Sequence, residues 1–225
     1  MKTIRFLLLL IALSIGWSLS EVSGQNRFFI HNFTMSKDEA RTVPVLLECD
    51  TGMWMFQFDI VMPDGLSVEG VTLAGSFVEE FGTHGFQLET GKLSNGSTRV
   101  LCSNLRRTKA IAPSTDLHVL DLTVKADRDL TATSLVFSLE KFLFIDNSSV
   151  DGENCHGSDS TCQVRIYRRG DVNLDGNVDL YDVNIVINIV LGKDDANRYD
   201  RRAYITSDNV IDVSDVSELI NLILR

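Results

Sequence analysis

The chain has 225 residues, a formal net charge of −10 at pH 7 and a hydrophobic fraction of 44%. This length allows one large domain or two small ones, and the apolar fraction is sufficient for a buried core. The acidic surface repels phosphate backbones, so the charge argues against a nucleic-acid partner.

Residues 1–20 are predicted to form a cleaved signal peptide. Lys2 and Arg5 give a short basic region, which the apolar run FLLLLIALSIGW follows. This run is too short to span a bilayer easily, because a membrane helix needs roughly 20 apolar residues. An uncleaved anchor or a buried helix is the alternative. No cysteine lies near the cleavage region, so we expect a secreted, periplasmic or cell-surface protein with neither a lipid anchor nor a membrane span after cleavage.

Residues 25–165 are predicted to form an antiparallel β-sandwich. The segment MWMFQFDIVM alternates as a half-buried strand does, with Gln57 and Asp59 on its polar face. Its apolar face carries Trp54, Phe56, Phe58, Ile60 and Met62. Turn sequences such as MPDGLSV, SNGS and DNSSVDG separate the other candidate strands, which are RTVPVLLEC, LSVEGVTL, FQLET, TRVLCSN, HVLDLTVKA, SLVFSLEKFLFI and CQVRIY. Many short strands at this spacing, with no long helical period, predict two packed sheets.

Four cysteines follow the predicted signal peptide. An even number of cysteines in an oxidising compartment suggests two disulfides, for which three pairings are possible. Cys155 and Cys162 flank the polar loop HGSDST and could close it, which would leave Cys49 to pair with Cys102. Buried free thiols are the alternative.

After Tyr167 the sequence pattern changes from strand-like to helical, and residues 166–225 are predicted to form a separate module. This region contains an internal repeat, in which VDLYDVNIVINIVLG over residues 178–192 matches IDVSDVSELINLILR over residues 211–225. Both copies read apolar-Asp-x-x-Asp-Val and continue as an apolar helix. The repeat therefore predicts two loop–helix units.

The segment GDVNLDGNVDLYDV, residues 170–183, has the spacing of an EF-hand-type calcium loop. Calcium takes about six to eight oxygen ligands, and alternate residues of a tightly curled loop turn their oxygens inward. Gly176 at the sixth position permits the sharp bend. The predicted ligands at positions one, three, five, seven, nine and twelve are Asp171, Asn173, Asp175, Asn177, Asp179 and Asp182. We expect one Ca²⁺ here, with Asn177 contributing its backbone carbonyl and Asp182 standing in for the usual, longer glutamate.

The second copy departs from this pattern at its first position, where Tyr204 replaces the carboxylate. Asn209 occupies the position of the glycine and can adopt the left-handed conformation. The remaining candidate ligands are Thr206, Asp208, Val210, Asp212 and Asp215. With fewer carboxylates, this loop is expected to bind calcium more weakly or not at all, and the sequence leaves its occupancy open.

The helices that follow the loops carry more apolar residues than one helix–helix contact needs. On a helical wheel, one stripe suited to packing contains Val183, Val186, Ile187 and Val190. Ile185 and Ile189 lie away from this stripe, and Leu222 is the equivalent of Ile189 in the second copy. This extra apolar surface is expected to contact either a partner protein or the sandwich of the same chain.

These motifs resemble two known families. Residues 170–225, through GDVNLDGNVDLYDVNIVINIVLG and AYITSDNVIDVSDVSELINLILR, resemble a type I dockerin. Residues 40–165 are similar, more loosely, to a cohesin-type sandwich, through TVPVLLECDTGMWMFQFDIVMPDGLSVEGV and HVLDLTVKA. The resemblance implies a nine-stranded jelly-roll-like sandwich followed by a small two-helix calcium module, in a secreted bacterial protein of the Bacteroides kind.

Dockerins bind cohesins and tether polysaccharide-degrading enzymes into extracellular assemblies, largely through loop positions ten and eleven and the helices. The matching positions here are Leu180, Tyr181, Val213 and Ser214. Leu180 and Tyr181 depart from the Ser/Thr pair common in dockerins, and the two copies differ from each other. The resemblance thus implies cohesin- or dockerin-bearing secreted partners, without fixing partner choice or symmetric binding.

No catalytic motif stands out around the histidines (His31, His84, His118 and His156) or around the paired carboxylates Glu79 and Glu80. We therefore expect a non-catalytic adaptor. The alternative is a carbohydrate-binding sandwich whose calcium module only braces the fold or binds its own sandwich. A sugar platform usually needs exposed aromatic rings, whereas Trp54, the one tryptophan left after cleavage, is predicted to face inward.

Overall fold

The computed structural model describes residues 26–82, 85–146, 154–199, 201–206 and 208–225. Within these ranges the chain is mainly β, with eleven strands, three α-helices and one 3-10 helix. The predicted signal peptide and His84 lie outside the described residues. No helix in the described part is long and apolar enough to cross a membrane.

The strands form two sheets that pack face to face. In chain order they are β1 Arg27–Phe29, β2 Phe33–Ser36, β3 Ala40–Cys49, β4 Met53–Val61, β5 Leu66–Leu73, β6 Gln87–Lys92, β7 Thr98–Ser103, β8 Ser114–Ala126, β9 Ser134–Asp146, β10 Asn154–His156 and β11 Ser160–Tyr167. One sheet has the order β1-β3-β8-β5, and the other has the order β2-β11-β9-β4-β7-β6, with β10 also paired to β9. The pairings are antiparallel except for β2 with β11. The expected mainly β architecture is confirmed, although the described residues form eleven strands where the resemblance implies nine.

The sandwich core lies between the two sheets and is rich in phenylalanine. Phe28 on β1 packs against Phe56 and Phe58 on β4, with ring centroids 4.7 and 4.6 Å apart. The predicted alternation of β4 thus holds at its centre. It fails at Trp54, which is only half-buried, because a bulge in the β4–β9 pairing places Met53 in the core instead. Met62, beyond the end of β4, is also only half-buried.

Asp59 is buried, which corrects its predicted position on a solvent-facing surface. Its carboxylate accepts hydrogen bonds from Arg99 Nε at 2.7 Å and from Arg99 Nη2 at 3.0 Å. Lys141 Nζ lies 3.5 Å from the same group. These side chains come from β7 and β9, the neighbours of β4, so they cover the carboxylate and compensate its charge.

A short helix, α1 Gly75–Phe81, interrupts the strands and was not predicted. Its buried residue Phe77 contacts Phe81 and Phe86 at ring-centroid distances of 4.5 and 5.2 Å. Because only one of its seven residues is fully buried, the helix has little of the apolar periodicity by which a longer helix is recognised.

The predicted disulfides Cys155–Cys162 and Cys49–Cys102 are wrong, because Cys49, Cys102 and Cys162 carry free thiols. Cys155 on β10 pairs with Phe144, and Cys162 on β11 pairs with Phe137, so both lie along the same side of β9. Seven residues of extended strand separate their partners by roughly 23 Å, whereas a disulfide needs Cα atoms within about 7 Å. Burial raises the pKa of the Cys102 and Cys162 thiols to about 12.

The chain after β11 forms two helices with a second hydrophobic cluster. These are α2 Leu180–Val190 and α3 Val213–Ile223, with the 3-10 helix Ala196–Tyr199 between them. The buried residues of this cluster are Val172, Val183, Val186, Ala203, Ile205 and Leu219. β11 ends at Tyr167, which pairs with Ser36 at the end of β2, so the chain leaves the sandwich beside the turn that joins β2 to β3.

Candidate metal centre and exposed helix surfaces

The first loop is curled around the carboxylate of Asp171, which is buried. One oxygen of Asp171 accepts a hydrogen bond from the backbone N–H of Asp175 at 3.1 Å, and the other accepts from Gly176 at 3.1 Å. Gly176 has a φ of 93°, a conformation that glycine adopts without steric cost. The bend expected at this glycine is therefore present, and it turns the loop back toward its first residue.

Asp182 joins the loop to α2. Its Oδ1 accepts from the backbone N–H groups of Val172 and Asn173 at 2.8 and 3.2 Å, and its Oδ2 accepts from Asp179 at 3.0 Å. Asp179 in turn accepts from the N–H of Tyr181 at 2.8 Å, so the two aspartates form a capping box at the helix N-terminus. Burial raises the pKa of the Asp182 carboxyl, and the three N–H groups oppose that shift.

The other predicted ligands lie on the rim of the loop. Asn173 Oδ1 accepts from the Asp175 N–H at 2.9 Å, and Asp175 Oδ1 accepts from the Asn177 N–H at 2.8 Å. The Asn177 N–H holds the pKa of the Asp175 carboxyl below its usual value. Asn173, Asp175 and Asn177 are exposed to solvent, while Asp171 and Asp182 lie beneath them.

The residues of this loop fit a calcium ion by their chemistry. Asp171 and Asp182 are buried, and neither pairs with a basic side chain in the described part of the chain, in contrast to Asp59. Buried charges are normally paired or bound to metals, and calcium prefers oxygen donors of this kind. Among the described residues, no three His, Cys, Asp or Glu side chains already converge as a metal site. The carboxylates accept backbone hydrogen bonds instead.

The second loop has the same pattern of capping hydrogen bonds as the first loop but fewer acidic side chains. Asp215 is buried and accepts from the Thr206 and Asp212 N–H groups at 2.8 and 2.9 Å, as Asp182 does from its equivalents. Asn209 has a φ of 60°, so the predicted left-handed residue is present. At the first position, however, Tyr204 offers no carboxylate. Arg201 Nη2 donates to Asn209 Oδ1 at 3.1 Å, which adds a positive charge beside this loop.

Two of the remaining predicted ligands of the second loop act within the loop itself. Asp208 Oδ1 accepts from the Val210 N–H at 3.0 Å, and Asp212 accepts from the Ser214 N–H at 2.7 Å as part of a second capping box. The side chain of Val210 is apolar and exposed.

The predicted partner-binding residues divide into two groups. Leu180, Tyr181, Val213 and Ser214, at positions ten and eleven of the loops, are exposed. Ile185, Ile189 and Leu222 are half-buried and pack against the module's own core instead. Conversely, Ile187 was expected to pack between the helices and is exposed. The predicted division of α2 into packing and partner-binding faces is therefore partly wrong.

A repeated apolar surface was predicted only in part, through Leu180 and Val213. Its members are between 37% and 79% exposed: Leu180 and Ile187 on α2 with Leu191 at its C-cap, and Val213 and Ile220 on α3 with Leu224 at its C-cap. We call these sets the α2 stripe and the α3 stripe. Both follow the spacing i, i+7, i+11, which places residues on one helical face, and they occupy equivalent positions in the two copies. A comparison of the copies could have identified them.

The candidate catalytic residues do not gather into a site within the described residues. His118 pairs with Asp121 at 2.9 Å on β8, and Glu80 pairs with Lys109 at 2.9 Å near α1. His31 follows β1, and His156 ends β10. These side chains therefore lie on separate elements of the sandwich.

No protein-family model and no curated protein matches the chain. Among solved structures, the chain is similar to the sixth cohesin of scaffoldin B from Acetivibrio cellulolyticus, which was solved in complex with the Cel5 dockerin. The two share 18% sequence identity and a TM-score of 0.49, and the match covers 63% of this chain and 98% of that chain. It is also similar to a type I cohesin–dockerin complex from Clostridium thermocellum, with 20% identity and a TM-score of 0.48 over 62% and 97% of the two chains. A non-cellulosomal cohesin from Archaeoglobus fulgidus gives 15% identity and a TM-score of 0.48 over 66% and 96%. These similarities are too distant to place the chain in a family.

Proposed function

We propose that this chain is a secreted, non-catalytic adaptor whose C-terminal module, residues 166–225, docks onto another secreted protein in a calcium-dependent manner. The observation that carries this proposal is the pair of buried carboxylates, Asp171 and Asp182, that lack a basic partner among the described residues. A divalent cation in the first loop would compensate both charges. It would also stabilise a module whose small core has few residues with which to fold on its own.

The α2 and α3 stripes supply the docking surface in this proposal. Each stripe is solvent-exposed, so the sandwich of the same chain does not cover it. Exposed apolar residues gathered on a helix face are typical of protein-interaction sites. The capping boxes of the two loops fix where α2 and α3 begin, and calcium in the first loop would therefore order the surface that the partner contacts.

The dockerin-like motif points to a cohesin-bearing secreted protein as the partner of the module. The cohesin-like strand motifs point to a dockerin-bearing protein as the partner of the sandwich. One chain with both surfaces would link two other components of an extracellular polysaccharide-degrading assembly.

Two measurements on the purified full chain test this proposal. The first is a calorimetric titration with calcium, for which we expect one site that is lost in the double variant Asp171→Ala with Asp175→Ala. The second is capture of secreted proteins from the source organism with calcium or with a chelator, followed by identification of the captured protein and a binary measurement with it in purified form. Calcium-dependent capture of a cohesin-bearing protein is the expected result.

A matched set of variants tests whether the α2 and α3 stripes form the docking surface. Ile187→Asp combined with Ile220→Asp should abolish binding to the purified partner and leave calcium binding unchanged. Leu105→Asp introduces the same charge at an exposed apolar residue of the sandwich and should have no effect on either. Calcium binding without any partner would overturn docking and leave calcium as a structural brace. Partner binding that resists the chelator would overturn calcium dependence.

A further inference from the structure

A cleft of about 540 Å³ lies where the sandwich meets the helical module. On the sandwich side it is lined by residues 36–40 and Tyr167, and on the module side by Arg169, Arg201 and Tyr204, among others. A second depression of about 380 Å³ shares Arg201 and Tyr204 with it and continues toward the 3-10 helix. The cleft is within the size range of about 300–1,000 Å³ that is usual for small-ligand sites.

Among the described residues that line this cleft, basic side chains outnumber acidic ones, in contrast to the whole chain. Its lining includes four basic and two acidic side chains, although the chain has a net charge of −10. Both acidic side chains are engaged. Asp38 pairs with Lys125 and Arg128 at 3.1 and 3.0 Å, and Glu39 accepts from the backbone N–H and the hydroxyl of Ser36 at 2.6 and 2.9 Å.

The basic side chains of the module side are compensated unequally. Arg169 lies 3.5 Å from Glu218 and donates to the carbonyl of Ile205. Arg201 and Arg202 pair with no carboxylate among the described residues. Among the described residues, Arg201 Nη2 donates to the amide oxygen of Asn209 at 3.1 Å, and Arg202 Nη2 donates to the carbonyl of Arg198 at 3.3 Å.

One donor in this cluster has no acceptor at all in the described part of the chain. The Nε of Arg202 is buried and makes no hydrogen bond. Such groups are rare in folded proteins, because a buried donor without an acceptor destabilises the folded state. The Arg202 guanidinium is therefore only partly satisfied within the described part of the chain, through its Nη2.

Tyr204 relates the cleft to the loop that has lost its first carboxylate. It is the equivalent of Asp171 in the repeat, and it lines the cleft in a half-buried position. An aspartate at this position would add a negative charge beside Arg201. The replacement of that carboxylate by tyrosine therefore leaves the cleft wall positive.

We propose that this cleft binds a small ligand carrying an oxyanion, a carboxylate, sulfate or phosphate group, through Arg201 and Arg202. A guanidinium group presents a planar fork of N–H donors that matches such groups, and its charge persists at every physiological pH. Tyr204 and the polar side chains along the wall would contact the remainder of the ligand. The described lining of the cleft includes none of the predicted calcium ligands of the first loop and no residue of either stripe, so binding there is expected to need neither calcium nor a protein partner.

Isothermal titration of the purified full chain tests the site with four probes: digalacturonate, cellobiose as its neutral counterpart, inorganic sulfate and inorganic phosphate. We expect at least one oxyanion to bind and cellobiose not to bind. Binding of digalacturonate assigns the site to acidic sugars, whereas binding of sulfate or phosphate alone assigns it to that oxyanion. If no oxyanion binds at millimolar concentration, or if cellobiose binds as well as digalacturonate, the proposal is overturned.

Matched variants connect the binding to the cleft. Arg201→Gln with Arg202→Gln should weaken oxyanion binding about tenfold or more, the loss expected when charge-assisted hydrogen bonds are removed. Arg106→Gln with Arg107→Gln removes the same charge from an exposed sandwich loop and should change the affinity less than about twofold, since it leaves the cleft contacts intact. Equal weakening by the two pairs would overturn the assignment.

A single-residue variant keeps the test decisive if the double variant fails to fold. Tyr204→Asp retains both arginines and should also weaken binding, because it places a negative charge in the cleft wall. Unchanged oxyanion affinity in Tyr204→Asp would count against the cleft. A chelator should leave oxyanion binding unaffected, so failure of this site and failure of calcium-dependent docking are distinguishable.

Discussion

Replacing Asp182 with asparagine separates the structural role of this side chain from its expected role as a calcium ligand. The substitution keeps the size of the side chain and one oxygen, which can still accept from Val172 and Asn173. It removes the second oxygen, which accepts from the Asp179 N–H at 3.0 Å. The expected cost without calcium is about 1 kcal/mol, typical of a lost helix cap and partly offset because a buried charge is removed as well.

Asp215 provides a matched control for this substitution. It is equally buried, it caps α3 in the same way, and it accepts from the Asp212 N–H at 2.9 Å. Asp215→Asn should therefore cost about the same free energy of unfolding without calcium. The two variants should differ only in their response to the ion, because the second loop lacks the first carboxylate and has Arg201 beside it.

The size of the calcium response follows from mass action. At a calcium concentration of roughly 100 times the dissociation constant, an ion that binds only the folded state adds about 2.7 kcal/mol of stability. For a module of this size the gain corresponds to a rise in Tm of about 10 °C or more. We expect this rise in the unmodified chain and in Asp215→Asn, and almost none in Asp182→Asn.

Thermal unfolding followed by far-UV circular dichroism checks the expectation, since α2 and α3 dominate the helical signal. The three chains are compared with calcium, with magnesium and with a chelator at constant ionic strength. An equal calcium-induced rise in the unmodified chain and in Asp182→Asn would refute the assignment of the ion to the first loop. The same rise with magnesium would refute the selectivity for calcium.

Three further predictions concern other parts of the chain. Tyr204→Asp should raise the calcium stoichiometry measured by calorimetry, and an unchanged stoichiometry would refute the view that the missing first carboxylate alone prevents binding in the second loop. Asp59→Asn should lower the free energy of unfolding, measured by urea denaturation at neutral pH, by about 2 kcal/mol. This loss is smaller than that expected for a fully buried ion pair, because Arg99 is partly exposed. Arg99 holds the pKa of Asp59 in the folded chain below its usual value. The stability that the Asp59 carboxylate contributes is therefore complete above the unfolded-state pKa and is lost as the pH falls through the lower folded-state pKa. The free energies of unfolding of the unmodified chain and Asp59→Asn should thus converge in acid. Without reductant, the denatured chain should react with at least three equivalents of thiol reagent, and a count of zero or two would restore the disulfides.

Strand positions in the sandwich could be predicted because their signal is local. The alternation around Phe56 and Phe58 reflects which side of β4 faces the other sheet. This alternation can be recognised from consecutive residues alone. Features that depend on a neighbouring strand were missed. The burial of Asp59 depends on Arg99 in β7, and the separation of Cys155 from Cys162 depends on the register against β9.

Within the helical module, the repeat made the loop conformation predictable. Alignment of the two copies places Asn209 opposite Gly176, and both adopt positive φ. The helical wheel was less informative, because it does not show on which side the other helix packs. Ile187 was therefore assigned to the helix contact, whereas Ile185 and Ile189 fill that role.

The two loops show that the framework of the repeat does not depend on its first residue. Asp182 and Asp215 make equivalent hydrogen bonds, and both following helices begin with a capping box, although the first positions are Asp171 and Tyr204. The residue at the first position can therefore change the local charge without altering these hydrogen bonds. In the first copy a buried carboxylate without a basic partner favours a cation, whereas in the second copy tyrosine beside Arg201 favours an anion. The proposed calcium and oxyanion sites would in this way give one module two sites of opposite charge preference.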